Sequence, residues 1–268
     1  MLISALLFYL SICGVFYIKQ ARLIYAPSRV TASTPGDVGM TFDDLDLRAD
    51  DGVRLSAWAM ENGSGPWILY CHGNGGNMHG RLFTARALHE MGASVLMFDY
   101  RGYGRSDGEP SEEGLYRDTE AAWRWLTETR KVSPLDVVIW GESLGGGVAT
   151  WLAERHEARA LVLQSTFTSL PDVGASVYWW LPVQALCRHI YPSLERMKRI
   201  TCPVLHMHAP DDDLIPYAVG RRLYEAGREP HQWIDTSGGH NASPEIQSPQ
   251  TRAEIARFVL ARTGAAAR

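Results

Sequence analysis

The pentapeptide Gly141-Glu-Ser-Leu-Gly145 carries the most specific chemical signal in this chain of 268 residues. It directly follows the apolar run 137–140 and opens a stretch of helical composition. Between a strand and a helix, Gly-x-Ser-x-Gly places the serine on a sharp turn, with its hydroxyl at the sheet edge and beside a helix N-terminus that favours an oxyanion. We therefore expect Ser143 to be a nucleophile. The alternative is a Gly/Ser turn without chemistry.

A second glycine-rich turn, His72-Gly-Asn-Gly-Gly-Asn77, follows the earlier apolar run 67–71. Acyl transfer requires two backbone donors about 3 Å from the developing oxyanion. The N–H of Leu144, directly after the serine, is one candidate, and the N–H of Asn74 is the other. We expect His72 to brace the turn. A phosphate-binding loop is disfavoured because no Gly-Lys-Ser/Thr follows.

The elements that would position these residues are short, nearly continuous apolar runs. Such runs are typical of strands buried on both faces of a parallel sheet, and five are found at residues 67–71, 94–98, 137–140, 160–163 and 203–206. Helical stretches separate them, which predicts an α/β fold with a mostly parallel central sheet flanked by helices. Before them, residues 45–49 and 54–60 alternate in polarity around a turn and predict two half-buried strands.

Four segments, read together, resemble the α/β-hydrolase superfamily. In chain order they are His72-Gly-Asn-Gly-Gly-Asn77, Asp99-Tyr-Arg-Gly-Tyr-Gly-Arg-Ser-Asp-Gly108, Gly141-Glu-Ser-Leu-Gly-Gly146 and Gln164-Ser-Thr-Phe-Thr-Ser169. They are similar, more narrowly, to the branch with an N-terminal membrane anchor that is related to α/β-hydrolase-domain depalmitoylases. The resemblance covers roughly residues 20–262 and implies a serine hydrolase.

In this architecture the catalytic residues follow the chain order serine, acid, histidine. Only His231 and His240 follow a plausible acid. His231 opens a predicted last strand, whereas His240 follows Ser237-Gly-Gly239 in a loop. A loop at the sheet edge allows a histidine to reach Ser143, so we expect His240 to be the base.

The acid is one of three contiguous residues, Asp211, Asp212 and Asp213. The related enzymes place it four residues after a histidine that ends a strand, which selects Asp212. The neighbouring Asp211 and Asp213 remain alternatives. A metal site built from His206, His208 and these aspartates is a further alternative; our expectation is no metal and no cofactor.

The leading interpretation of function is cleavage of a carboxylic ester or thioester of an acyl chain through an acyl-enzyme. Residues 167–200 are rich in Trp and Pro and interrupt the alternation of strands and helices, which predicts a small helical cap. We expect Phe167, Trp179 and Trp180 in this cap to line the substrate pocket. A peptidase of the same fold and a membrane-tethered scaffold without activity are the alternatives.

Composition excludes several other classes of protein. The 26 Lys and Arg residues against 30 Asp and Glu residues leave a net charge of −4, whereas nucleic-acid binding leaves a basic footprint. Four widely separated cysteines, with no Cys-x-x-Cys pair, indicate neither a zinc site nor a disulfide framework. The expected partners are a small acyl substrate and a lipid membrane, and no nucleic acid.

The membrane expectation comes from residues 1–18, which contain no charged side chain. As a helix they would extend roughly 27 Å, close to the roughly 30 Å of a hydrocarbon core. Lys19, Arg22 and Arg29 follow, which favours a single-pass anchor with a cytoplasmic catalytic domain. We expect residues 1–25 to form this anchor and 26–268 the hydrolase domain. A helix packed on the domain and a cleaved signal peptide are the alternatives.

Overall fold

The central feature of the computed structural model, which describes residues 1–261, is an eight-stranded sheet. Its strands are β1 (Asp43–Arg48), β2 (Arg54–Met60), β3 (Trp67–Cys71), β4 (Ser94–Phe98), β5 (Val137–Glu142), β6 (Ala160–Gln164), β7 (Val204–His208) and β8 (His231–Asp235). They lie in the order β8-β7-β6-β5-β3-β4-β2-β1. The last six strands of the chain pair in parallel, and β1 and β2 complete one edge with antiparallel pairing.

Helices either cover the two faces of this sheet or belong to the cap and the N-terminal segment beside it. They are α1 (Leu2–Ile24), α2 (Leu82–Glu90), α3 (Glu112–Arg124), α4 (Leu144–Ala153), α5 (Leu170–Val177), α6 (Val183–Leu186), α7 (Ser193–Met197), α8 (Tyr217–Glu225) and α9 (Pro249–Leu260). Side chains alternate between the faces along a strand, so neighbours such as Ile68 and Leu69 belong to two separate apolar cores. The apolar runs of the sequence are thus buried on both sides, and the predicted α/β fold is confirmed.

The N-terminal pair of strands differs in one respect from the expectation. Strand β2 is buried almost throughout, whereas β1 is largely exposed. The reason is position: β2 lies between β1 and β4, and β1 forms the edge of the sheet. The prediction of two half-buried strands is therefore wrong for β2.

Helices α5, α6 and α7 are inserted between β6 and β7 and form the cap. Helix α1 lies beside it and is long and apolar enough to cross a membrane, with a mean hydropathy of 1.9 in its most apolar window. Its buried residues, Cys13 and Gln20, share one face, and most of its other side chains are exposed. After the helix, Ala26–Pro27 pair in parallel with Gly75–Gly76 of the glycine-rich turn.

Candidate active site

Ser143 lies at the junction of β5 and α4 in a strained backbone conformation, with φ 52° and ψ −116°. Residues other than glycine rarely adopt a positive φ, and such a strained conformation persists only where the surrounding structure stabilises it. Here the Ser143 N–H donates to the Gln164 carbonyl at 2.9 Å, and the Thr166 hydroxyl donates to the Ser143 carbonyl at 2.7 Å. The turn is therefore fixed from the neighbouring strand.

The glycines on either side of Ser143 are required by close packing. A Cβ at Gly141 would lie 2.6 Å from the Gly145 carbonyl oxygen, and a Cβ at Gly145 would collide with the Cys71 carbonyl. Only a residue without a side chain allows the first turn of α4 to approach β3 and β5 so closely. The spacing of the pentapeptide thus reflects the steric demands of the turn.

His240 faces the serine from a short turn, Gly239–Asn241, after β8. Its Nε2 lies 2.9 Å from Ser143 Oγ, and its Nδ1 lies 3.0 Å from Asp212 Oδ2. Gly238 and Gly239, with φ of 107° and 61°, turn the chain so that the imidazole can reach across. With its proton on Nδ1, His240 can accept the serine proton while donating to the carboxylate.

The Asp212 carboxylate is buried and accepts several hydrogen bonds. The Leu214 and Ile215 N–H groups donate to Oδ1 at 2.9 and 2.8 Å, and His208 Nε2 lies 3.3 Å from Oδ2. Burial alone would raise the pKa of Asp212, but the hydrogen bonds from the two imidazoles and from the Ile215 N–H outweigh it and hold the pKa well below its usual range. The carboxylate is therefore ionised whenever His240 needs a charged partner.

Sequence reasoning missed the role of His208, which orients Asp212 from the end of β7. His208 is 2 % exposed, and its Nε2 also lies 2.9 Å from the Ile215 carbonyl. The four-residue spacing between His208 and Asp212 was the available signal.

The other two aspartates lie outside the hydrogen-bonded chain. Both are exposed, and Asp211 accepts a 3.3 Å bond from the Gly239 N–H, so that it contacts the loop rather than the imidazole of His240. His206, named with them as a possible metal ligand, has its ring stacked on Trp233. Within residues 1–261, no three His, Cys, Asp or Glu side chains are grouped so that they could hold a metal ion.

The backbone N–H groups of Asn74 and Leu144 are the expected oxyanion donors. Asn74 and Leu144 line the same cavity as Ser143, and neither N–H has a hydrogen-bond acceptor among the residues that the structure describes. Leu144 is the first residue of α4, where the N–H groups of a helix have no partner within it. These two groups are available to a negatively charged oxygen.

The glycine-rich turn is tied to the N-terminal segment. The Asn74 side chain donates to the Ile24 carbonyl, the last of α1, at 2.8 Å, and the Asn74 carbonyl accepts from the Tyr103 hydroxyl at 2.9 Å. His72 is buried below the turn, with its Nε2 3.5 Å from Asp99. The backbone of Asn74 is thus held by both its carbonyl and its side chain.

An apolar cavity of about 260 Å³ begins at Ser143 and runs between the cap and α1. Phe167 lines it, as do cap residues such as Leu170 and Leu181. Trp179 and Trp180 do not: they lie in the turn between α5 and α6 and are 82 % and 42 % exposed. The prediction that these two tryptophans line the pocket is corrected accordingly.

The contribution of α1 to this cavity is not indicated by any sequence pattern. Phe16, Gln20, Leu23 and Ile24 of that helix line it. An uncharged N-terminal run predicts a membrane helix from composition alone, and nothing local indicates which face will pack against a cap more than 140 residues further along.

A second, polar cavity of about 510 Å³ lies on the other side of Ser143 and His240. Its lining includes Arg81, Glu142 and Glu245. Arg81 faces Glu142 at 3.4 Å, and the Tyr70 hydroxyl donates to the same carboxylate at 2.7 Å. The serine hydroxyl therefore lies at the boundary between an apolar and a polar compartment.

Comparison with known proteins identifies the fold family. Residues 66–186 match the family model of the α/β hydrolase fold. An uncharacterized protein of Mycobacterium tuberculosis is 41 % identical, over 91 % of this chain and 88 % of its own length. Protein bem46 of Schizosaccharomyces pombe is 34 % identical, over 76 % of this chain and 73 % of its own length. The lysophosphatidylserine lipase ABHD12 of Danio rerio is 32 % identical, over 77 % of this chain and 65 % of its own length.

Solved structures agree on the architecture. The Pyrococcus furiosus esterase Pf2001 superposes with a TM-score of 0.73 at 22 % identity, over 87 % of this chain and 98 % of that one. At this identity the likeness supports the fold and carries no information on the substrate.

Proposed function

The chain belongs to the α/β hydrolase family, and from that premise we propose that it is a serine hydrolase that cleaves carboxylic esters or thioesters of acyl chains through an acyl-enzyme. One observation carries the proposal. Ser143 Oγ is 2.9 Å from His240 Nε2, whose other nitrogen is 3.0 Å from Asp212, and this chain of hydrogen bonds ends at an apolar cavity.

The geometry supports the following mechanism. His240 takes the proton from Ser143 Oγ as the oxygen attacks the acyl carbonyl, while Asp212 stabilises the imidazolium. The Asn74 and Leu144 N–H groups bind the oxyanion. His240 then gives the proton to the departing alcohol or thiol, which leaves the acyl group on Ser143. A water molecule deprotonated by His240 attacks this acyl-enzyme and releases the acid, and no cofactor is required.

The two compartments support an amphiphilic substrate. An acyl chain fits the apolar cavity, and the polar leaving group fits the compartment beside Arg81 and Glu245. The name of the Danio rerio relative, a lysophosphatidylserine lipase, agrees with an ester that joins one acyl chain to a polar head group.

Labelling with a fluorophosphonate probe, together with a panel of esters and acyl-thioesters, tests the proposal. We expect Ser143 to be labelled and Ser143→Ala to be neither labelled nor active. A labelled protein that cleaves peptides but no ester would favour the peptidase, and an unlabelled, inactive parent would favour the scaffold. Either result would overturn the proposal.

We also propose that α1 anchors the protein to a membrane, with the catalytic domain on the cytoplasmic side. Its length and hydropathy support the anchor, and the basic residues Lys19, Arg22 and Arg29 support the orientation. We expect the full-length protein to sediment with membranes and to resist washing at high salt. Full-length protein that is soluble without detergent would contradict the anchor, and protease protection of intact vesicles measures the orientation.

A further inference from the structure

One face of α1 is part of the wall of the apolar cavity. Phe16, Gln20, Leu23 and Ile24 recur at intervals of four, three and one residues, which places them on a single helical face. The same cavity has Ser143 at its inner end and cap residues on its opposite wall.

The polar residue of this face fixes the helix to the cap. Gln20 is only 7 % exposed; its Nε2 donates to the Leu186 carbonyl at 3.3 Å, and its Oε1 accepts from the Arg188 N–H at 2.7 Å. A buried amide is costly unless both its donor and its acceptor find partners. The Gln20 NH₂ group also donates to the Tyr17 carbonyl of its own helix at 2.8 Å, and its remaining partners, the Leu186 carbonyl and the Arg188 N–H, lie on the cap, so α1 has a defined docked position.

Aromatic contacts extend the docking towards the N-terminus. The Phe16 ring lies edge-on to Tyr178 and Trp180, with centroid distances of 5.2 and 6.1 Å, and the Tyr9 hydroxyl donates to the Trp180 carbonyl at 3.0 Å. Helix α1 and the turn between α5 and α6 therefore form one continuous wall.

The mouth of the cavity is apolar and exposed. Leu23, Val177 and Leu214 line the cavity and are 54 %, 48 % and 45 % exposed. The partly exposed Trp180 contacts Phe16 of the cavity wall, and the exposed Trp179 precedes it in the chain; tryptophan is enriched where proteins meet the membrane interface. The outward side chains of α1, which include Leu10, Val15 and Ile18, are exposed as well.

We infer that α1 is a substrate-binding element as well as an anchor: the acyl chain lies between Phe16 and the cap and enters from the bilayer through the mouth formed by Leu23, Val177 and Leu214. The inference rests on the proposed ester or thioester hydrolysis. The bilayer is the occupant that the surface fits, because residues 1–18 contain no charged side chain and the exposed apolar mouth adjoins the helix that would enter the lipid.

The first test uses full-length protein and two substitutions at Phe16. Phe16→Trp should shorten the cavity and Phe16→Ala should extend it. The measured quantity is the ratio of kcat/KM for p-nitrophenyl laurate to that for the butyrate. We expect Phe16→Trp to lower this ratio by about fourfold for each methylene that it excludes, and Phe16→Ala to move the optimum to longer chains. Val15→Trp is the matched control, because Val15 is 59 % exposed on the same helix; its ratio should stay at the parental value.

The outcomes separate the two proposals. If Ser143→Ala abolishes hydrolysis but neither Phe16 variant changes the ratio, α1 is an anchor only, and the inference fails while the proposed function stands. If Ser143→Ala retains hydrolysis, the proposed function fails, and the inference with it. Melting curves establish that each variant is folded, and two opposite substitutions keep the test decisive should one of them unfold the protein.

The second test concerns entry from the bilayer. Val177→Asp places a charge at the mouth, and Leu135→Asp, 54 % exposed and outside the cavity lining, is its control. The measured quantity is the rate of hydrolysis of a long-chain ester in phosphatidylcholine vesicles divided by the rate for the same ester in detergent micelles. We expect Val177→Asp to lower this ratio at least about tenfold and Leu135→Asp to leave it unchanged. Entry from the lipid would be overturned if Val177→Asp changed the rates in vesicles and in micelles by the same factor, or if this surface formed a dimer.

Discussion

Replacing Asp212 by asparagine removes the negative charge beside His240 and changes little else in size or shape. The carboxylate accepts from His240 Nδ1 at 3.0 Å and from two backbone N–H groups. An amide has a single acceptor oxygen. If the asparagine oxygen keeps its hydrogen bonds from the Leu214 and Ile215 N–H groups, the asparagine NH₂ group faces His240 Nδ1. This arrangement favours the His240 tautomer whose proton is on Nε2. That tautomer cannot accept the proton of Ser143.

The size of the effect follows from two contributions. Losing a charge-assisted hydrogen bond to the imidazolium costs about 1.5–3 kcal/mol. Losing the attraction of two unit charges near 4 Å costs about 4 kcal/mol at an effective dielectric constant of 20. The two contributions overlap, because the attraction between the charges is part of the hydrogen bond, so their sum of about 5.5–7 kcal/mol, or about 10⁴ to 10⁵ in kcat/KM, is an upper bound. We expect a loss on the order of 10⁴, the size typical of this substitution in serine hydrolase triads.

The assay is hydrolysis of p-nitrophenyl butyrate at neutral pH, with Asp213→Asn as the matched control. Asp213 is the next residue, is exposed and makes no hydrogen bond to His240, so the same loss of charge should change kcat/KM by less than about tenfold. Asp211→Asn, which weakens a bond to Gly239, should also have a small effect. Activity of Asp212→Asn within tenfold of the parent, or a larger loss in Asp213→Asn, would refute the assignment of the acid.

Three further predictions concern the elbow and the core. Ser143→Ala should abolish ester hydrolysis and leave the melting temperature nearly unchanged, because its hydroxyl points into the cavity; retained turnover would contradict the nucleophile. Gly145→Ala should lower activity, and it should lower the free energy of unfolding by about 1–3 kcal/mol in thermal unfolding, because its Cβ would collide with the Cys71 carbonyl. A variant as stable as the parent would contradict this steric explanation. Burial lowers the pKa of His206 to about 3, so the unfolded chain binds a proton near pH 6.5 while the folded chain does not, and stability is lost as the pH falls. The free energy of unfolding in urea should fall between pH 7 and pH 4.5, and this fall should be about 2–3 kcal/mol smaller in His206→Leu than in the parent. Equal falls in the two proteins would contradict a neutral, buried His206.

The fold was predictable because its signals are local. Strands buried on both faces must be apolar throughout, and the turn at Ser143 requires glycine on both sides, so each element leaves a mark within a few residues. The candidate site was partly predictable for the same reason. Asp212 could be distinguished from Asp211 and Asp213 only through the resemblance to the α/β-hydrolase superfamily. The three aspartates differ in the direction and burial of their side chains, and neither property can be derived from residue type.

The parts that could not be predicted depend on contacts between distant segments. Trp179 and Trp180 are apolar, yet they lie outside the cavity because the turn between α5 and α6 directs them away from it. Phe16 and Gln20 belong to a helix whose composition indicates only a membrane. Which apolar surface meets which is decided by the packed structure.

The separation of α1 from its docking partners has a consequence for biosynthesis. Its contacts to Trp180, Leu186 and Arg188 span 171, 166 and 168 positions in the chain. At about 5–20 residues per second, the ribosome needs roughly 10–30 s between making the helix and making the cap. During that interval the helix has no protein surface to cover it, and a lipid bilayer is the available apolar environment. If α1 is the proposed membrane anchor, its insertion precedes closure of the proposed acyl site, which is completed only when the newly made cap folds against a helix already in the lipid.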